Sequence, residues 1–164
     1  MKHFRALSVL VGALALAAVV AGTAFATAQT KVAFKGKYVG KVTEKVDGSN
    51  VTASASGAGK GTVVGVGRLS GVVKATTANP PCSPILGPGT ISGLRGKLKV
   101  NVTVPSRGCA AGEDDQDSIS VSGTAKVTGG TLKFRKAKGS LHFSGHYDRK
   151  SGSFNVNLTG TFTY

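Results

Sequence analysis

The sequence predicts an all-β protein, a single antiparallel β-barrel of about eight strands with one disulfide bond. Three observations predict it. Apolar and polar residues alternate with a period of two through most of the chain, turn-forming residues separate the alternating runs, and glycine recurs on their apolar side. Alternation places successive side chains on opposite faces of a strand, and regularly spaced strands are typical of a β-sandwich or barrel.

The N-terminal segment, residues 1–28, has the three parts of a secretory signal peptide. It begins with basic side chains, continues as an apolar run over residues 6–20, and ends in small residues at Ala28. The run is barely long enough to span a bilayer, and its small-residue exit suits a signal peptidase. We therefore expect cleavage after Ala28, export of one domain over residues 29–164, and no membrane insertion afterwards. The Ala/Val/Gly composition of the segment indicates a bacterial protein.

The first alternating run, residues 32–46, sets the pattern for the rest. Apolar residues and glycine occupy its even positions, while its odd positions carry the four lysines Lys35, Lys37, Lys41 and Lys45. A strand with this pattern has one apolar face and one lysine face. Asp47 and Gly48 supply turn chemistry directly after it.

The same pattern predicts the remaining strands. Counting each run separately gives eight to nine strands, the further ones covering residues 51–55, 63–66, 69–75, 90–93, 97–104, 119–127, 141–147 and 154–164. Glycine within a strand permits a bend or a close backbone approach. Its recurrence on the apolar face favours a barrel, in which the sheet must curve, over the alternative of a sandwich. These glycines are Gly36, Gly40, Gly123, Gly145 and Gly160.

Cys82 and Cys109 are the only two cysteines, and an exported chain favours their pairing. One continuous strand between them would hold the sulfurs tens of ångströms apart. A hairpin with its tip near Arg95 and Gly96 brings both to its open end, so we predict a Cys82–Cys109 disulfide.

The sequence offers few residues for catalysis or metal binding. His142, Ser144, His146 and Asp148 share the polar face of one strand, but the two histidines are too far apart in an extended strand to share a metal. The acidic run at residues 113–117 lacks the glycine and distal glutamate of an EF-hand loop. We therefore predict no catalytic residue, no metal site and no cofactor.

Basic residues are the strongest functional signal, since the chain carries a net charge of +14. The strand lysines are joined by a second group, Lys133, Arg135, Lys136 and Lys138. Such a surface attracts anionic polymers of the cell envelope or extracellular space. Phe34 and Tyr38 point away from the lysines, which argues against base stacking and hence against a specific nucleic-acid partner. The alternative is a solvated face whose lysines prevent edge-to-edge strand pairing.

One segment, residues 129–140, resembles a Gly-Gly-Thr-Gly-x-Phe-x-x-Ala-x-Gly motif of dirigent and allene-oxide-cyclase-like barrels and of uncharacterised secreted actinobacterial proteins. Gly129, Gly130, Thr131, Phe134 and Ala137 carry the match, and Leu132 stands where the motif has its third glycine. The following hairpin, residues 141–158, is similar too. The resemblance implies an eight-stranded antiparallel barrel and does not imply cyclase activity.

These observations predict a small exported, soluble β-barrel that acts as a binding or structural module rather than as an enzyme, with anionic polymers contacting its lysine face. An alternative is a calycin-like barrel that binds a small apolar ligand, with or without a cyclase or isomerase activity. A minor alternative is an outer-membrane barrel, in which the apolar face meets lipid and the lysines line the lumen.

Overall fold

The computed structural model describes residues 29–76, 81–112 and 114–164. The predicted signal peptide, residues 1–28, lies outside the described residues. Within these ranges, no helix is long and apolar enough to cross a membrane.

The described residues form eight strands that pair in chain order, and β8 pairs with β1 to close an antiparallel barrel. The prediction of an all-β barrel is confirmed, and the sandwich alternative is wrong because the sheet has no open edge. A single 3-10 turn, Leu132–Phe134, joins β6 to β7. The strands are β1 (Lys31–Asp47), β2 (Asn50–Gly61), β3 (Gly65–Thr76), β4 (Cys82–Gly93), β5 (Gly96–Ala110), β6 (Ser118–Gly130), β7 (Lys138–Asp148) and β8 (Ser153–Thr163).

The predicted run at residues 63–66 is not a strand of its own. Val63 and Val64 belong to the turn that links β2 to β3, where both are buried, and only the residues from Gly65 onward pair as β3. The apolar valines therefore cap the barrel instead of extending its wall.

Inside and outside follow the alternation of β1. Phe34 and Tyr38 are buried in the barrel, whereas the lysines between and after them are exposed on its outer surface. Lysines outside and aromatic rings inside are the opposite of what the outer-membrane alternative requires.

The two ends of the barrel differ. The closed end lies at Lys31, Gly61, Gly93 and Gly130, and the mouth lies at the other end of the same strands. Aromatic rings fill the closed end: the Phe134 ring packs edge-on against Phe162 and Tyr164, with centroids 6.0 and 5.2 Å apart, and Phe34 packs against Phe162 at 6.1 Å. The core is therefore concentrated in this half.

The β4–β5 hairpin has the predicted geometry. Its strands turn at Leu94 and Arg95, and Cys82 pairs with Cys109 in register, where the two form the predicted disulfide at a Cα–Cα distance of 4.0 Å. Two extra residues bulge from β5 between Thr103 and Arg107. The buried Ser106 supplies hydrogen bonds to backbone groups at this bulge. Its hydroxyl donates to the Thr103 carbonyl and accepts from the Thr124 amide at 3.0 Å.

Candidate functional site

A cavity of about 320 Å³ occupies the mouth half of the barrel. Apolar side chains from all the strands line its wall, among them Val42, Ala55, Ile85, Phe143 and Val156, and its rim includes Pro81, Ala110, Gln116 and Arg149. Ligand pockets of this kind begin at about 300 Å³. An apolar cavity of about 150 Å³ is enough to bind benzene, so this cavity has room for a molecule of about two fused aromatic rings.

Small residues create the cavity. Gly71, Gly89 and Gly108 line it without side chains; a Cβ added to them would meet its nearest neighbours at 3.1, 3.2 and 3.4 Å, which is tight but short of the overlap found at other strand glycines. Alanines complete the lining at Ala53, Ala55, Ala75, Ala110 and Ala125. Protein interiors are usually packed to crystal-like density. In the closed half aromatic rings fill the barrel, whereas the short side chains of the mouth half leave its interior open.

Most of the glycines that the sequence pattern singles out serve a different purpose. A side chain on Gly40 would overlap the Ser56 carbonyl, and one on Gly145 would overlap the Asn155 carbonyl. These positions allow neighbouring strands to approach closely and the sheet to curve. Their predicted role in barrel curvature therefore fits the structure, whereas the cavity depends on three glycines of β3, β4 and β5.

One charged pair lies at the rim of the cavity. Glu44 continues the inward-facing positions of β1, and its side chain is only 18% exposed. Arg149, in the turn after β7, donates from Nε to Glu44 Oε2 at 3.1 Å and from Nη1 to the Gln116 carbonyl at 3.0 Å. The pair therefore connects three parts of the rim and presents a polar group to an otherwise apolar space.

Tyr147 lies beside this pair, buried on the inner face of β7. Burial raises the pKa of its phenol, and the charge of Glu44 and hydrogen bonding to that carboxylate raise it too, while the charge of Arg149 opposes them. The phenol therefore keeps its proton at neutral pH. Glu44, Arg149 and Tyr147 form what we call the rim triad.

The sequence pattern does not single out the rim triad. The signal for it is Glu44 itself, which is the only acidic residue on the apolar face of β1, between Val42 and Val46. Its partner Arg149 is 105 residues away in the chain, so nothing local indicates the pairing.

The predicted basic site is divided by the structure. Lys35 and Lys37 are exposed in the closed half, whereas Lys41 and Lys45 lie in the mouth half, and Lys41 Nζ donates to the Ser151 carbonyl and the Ser153 hydroxyl at 2.9 and 3.1 Å. The second group, Lys133, Arg135, Lys136 and Lys138, surrounds the closed end and is exposed.

Thr163 of β8 joins the two groups. Lys31 of β1 pairs with it on one side and Lys138 of β7 on the other, so these two lysines stand about 10 Å apart across two strand spacings. Lys133 folds back over the end, with Nζ 4.8 Å from the Tyr164 ring centroid. The strand lysines of the closed half are therefore continuous with the second basic group.

Charge is segregated between the two ends. Every acidic residue of the described ranges lies in the mouth half: Glu44, Asp47, Asp114, Asp115, Asp117 and Asp148. Most basic residues lie in the closed half: Lys31, Lys35, Lys37, Lys60, Arg68, Arg95, Lys97, Lys99, Lys126, Lys133, Arg135, Lys136 and Lys138. The closed half is thus uniformly positive, whereas charges of both signs balance around the mouth.

The histidine strand does not assemble a site. His142 shares a hydrogen bond of 3.3 Å with the Thr124 hydroxyl, and Asp148 accepts from the Ser151 amide at 2.6 Å. That backbone hydrogen bond is the main cause that lowers the pKa of Asp148. Among the described residues, no group of three or more His, Cys, Asp or Glu side chains could hold a metal ion.

Comparison of the chain with protein-family models, with curated proteins and with solved structures found no match in any of the three.

Proposed function

We propose that this protein is a binding module that takes up one small apolar molecule in its mouth cavity. The observation that carries the proposal is the cavity of about 320 Å³, lined by apolar side chains and kept open by glycine and alanine. Burying an apolar ligand of that size removes apolar surface from water on both partners, which favours binding. The aromatic closed end gives the cavity a rigid floor.

Cavity filling tests this proposal directly. Naphthalene, with about ten heavy atoms, is a probe of the right size and carries no polar group. Ala55 faces the cavity and Ala58 faces solvent on the same strand, so Ala55→Phe and Ala58→Phe introduce the same ring inside and outside. Because the chain has no tryptophan, naphthalene fluorescence can be followed without overlap from indole.

We expect saturable binding of one naphthalene per barrel by the wild type and by Ala58→Phe, and its loss in Ala55→Phe. Methyl NMR shifts of Val42 and Val156 should change during the titration, which locates the probe. Absence of saturable binding by the folded wild-type protein, or equal binding by both variants, would overturn the proposal.

A second function, contact with anionic polymers, is supported by the segregation of charge. The closed half presents many exposed lysines and arginines without an acid among the described residues, so it attracts polyanions while the balanced mouth does not. We propose that an anionic polymer of the envelope or extracellular space binds the closed half, which leaves the mouth accessible.

Matched charge reversals test the second function. Lys35, Lys37 and Lys138 lie in the closed half, and Lys74, Arg107 and Lys150 lie in the mouth half, so changing either set to Glu alters the net charge equally. With heparin as the probe, binding should weaken steeply with salt and be lost in the closed-half variant alone. Salt-independent binding, or equal loss in both variants, would leave the lysines with a role in solubility alone, because the closed barrel has no edge strand for them to protect.

We also propose export of the domain to the extracellular space. A disulfide bond persists in oxidising compartments, and the N-terminal residues have the form of a cleavable signal. N-terminal sequencing of the protein recovered from the culture medium should begin at Gln29; recovery of the full chain from cells alone would contradict export.

A further inference from the structure

The rim triad places a polar group where a ligand in the cavity would end. Glu44 and Arg149 carry opposite charges in direct contact at 3.1 Å, so together they add no net charge to the rim. The rest of the cavity wall is almost entirely apolar. Glu44 and Arg149 are the charged residues of the lining, beside polar ones such as Ser83 and Gln116, so a ligand that fills the cavity meets charged groups at the mouth.

From this we infer that the cavity selects an uncharged amphiphile of about ten heavy atoms, whose single hydroxyl group binds the rim triad; this rests on the proposed function. A carboxylate only accepts hydrogen bonds and has room for about four of them. Arg149 and Tyr147 each already donate to Glu44, which leaves this carboxylate able to accept a further hydrogen bond from a ligand hydroxyl.

Charged head groups are excluded by the same geometry. A carboxylate on the ligand would be attracted by Arg149 but repelled by Glu44, and it has no proton to donate to the Glu44 oxygens. An ammonium would face the reverse conflict. Either charge would add an uncompensated ion to a partly buried site whose own charges already cancel, which is unfavourable.

Four compounds that share the naphthalene ring and differ in the head group separate these contributions. Naphthalene has no head group, 2-naphthol donates and accepts, 2-methoxynaphthalene only accepts, and 2-naphthoate is charged. We expect 2-naphthol to bind at least about tenfold more tightly than 2-methoxynaphthalene, because hydrogen bonds to charged groups are the stronger kind. We expect 2-naphthoate to bind more weakly than naphthalene itself.

Two variants reverse the charge balance in opposite directions. Glu44→Gln leaves Arg149 without its carboxylate, so the affinity for 2-naphthoate relative to 2-naphthol should rise. Arg149→Gln leaves Glu44 unbalanced, so that ratio should fall below the wild-type value. Naphthalene binding serves as the control that the cavity of each variant is intact. Thr43→Gln, on the outer face beside Glu44, should leave the ratio of 2-naphthoate to 2-naphthol affinity unchanged.

The outcomes distinguish this inference from the proposed function. If naphthalene does not bind the wild type, the cavity proposal fails. If naphthalene binds but 2-naphthol has no advantage over 2-methoxynaphthalene, or 2-naphthoate binds best, the cavity proposal stands and the hydroxyl selectivity is overturned. The wild-type series decides this even if a rim variant does not fold.

Discussion

Cys82 and Cys109 face each other at the mouth, at the end of the barrel opposite its aromatic core. Their Cα atoms are 4.0 Å apart, and the neighbouring residues Pro81, Ser83, Gly108 and Ala110 line the cavity. The disulfide therefore holds together the part of the wall where short side chains provide the least packing. The closed end is stabilised instead by the packing of its aromatic rings against one another.

The disulfide should contribute to stability without being required for the fold. Its cysteines are 27 residues apart, and closing a loop of that length stabilises a protein by roughly 3–4 kcal/mol. We expect Cys82→Ala/Cys109→Ala to lower the thermal midpoint and to retain the β circular-dichroism spectrum. Quantitative thiol labelling of the native oxidised wild type would contradict the bond.

Val156 and Asn155 test the assignment of faces in β8. Val156 is buried in the barrel, whereas Asn155 is exposed, and a one-residue step changes the face. Val156→Lys should unfold the protein or lower its free energy of unfolding by several kcal/mol, on the order of the cost of an unpaired buried charge. Asn155→Lys should change it by no more than about 0.5 kcal/mol in urea titrations. Equal effects would reject the register of β8.

Leu132 has a strained backbone, with a φ of 53° in the left-handed region. Its side chain is 68% exposed, so it gains little packing in return. The left-handed conformation costs an L-residue about 1–2 kcal/mol, which glycine avoids. Glycine loses more backbone entropy on folding, however, and this cancels about half of the gain. Leu132→Gly should therefore raise the free energy of unfolding by roughly 0.5–1 kcal/mol.

Lys136 provides the comparison, because it is exposed in the same connection and its φ is not positive. Lys136→Gly should lower stability slightly, since only the entropy of the unfolded chain changes. If both glycine variants destabilise the protein equally, the left-handed backbone at Leu132 carries no strain.

Tyr38 buries a hydroxyl group that has no hydrogen-bond partner among the residues that the structure describes. An unsatisfied buried polar group costs free energy, so Tyr38→Phe should be neutral or stabilising by about 1 kcal/mol at pH 7. Loss of several kcal/mol on this substitution would show that the hydroxyl is hydrogen-bonded.

The same residue predicts an alkaline transition. Burial raises the pKa of Tyr38 from 10.0 to about 12. Because the folded state holds the proton more tightly than the unfolded state, this contribution to stability is complete below pH 10 and is lost as the pH rises towards 12. Plotted against pH, the free energies of unfolding of wild type and Tyr38→Phe should run parallel near neutral pH. Between pH 10 and 12 they should diverge, because that of the wild type falls faster.

The period-two alternation predicted most of the strands and their faces, because the direction of a strand side chain depends only on its position in the run; it wrongly made residues 63–66 a strand and found only residues 90–93 of β4. Phe34 and Tyr38 inside and the lysines outside follow from that local rule, whereas the Cys82–Cys109 pair was predicted from the two cysteines and a hairpin with its tip near Arg95. The resemblance of residues 129–140 to dirigent and allene-oxide-cyclase-like barrels stays a prediction.

Non-local pairing decided the rest. Closure of β8 on β1 fixed eight strands, and the register of the whole barrel placed Gly71, Gly89 and Gly108 on the cavity wall and Gly40 and Gly145 directly against neighbouring backbone. The Glu44–Arg149 contact and the separation of charge between the two ends arise in the same way. The alternation along one strand sets only inside and outside; position along the barrel axis depends on strands that are distant in the chain, so only the tertiary structure brings these residues together.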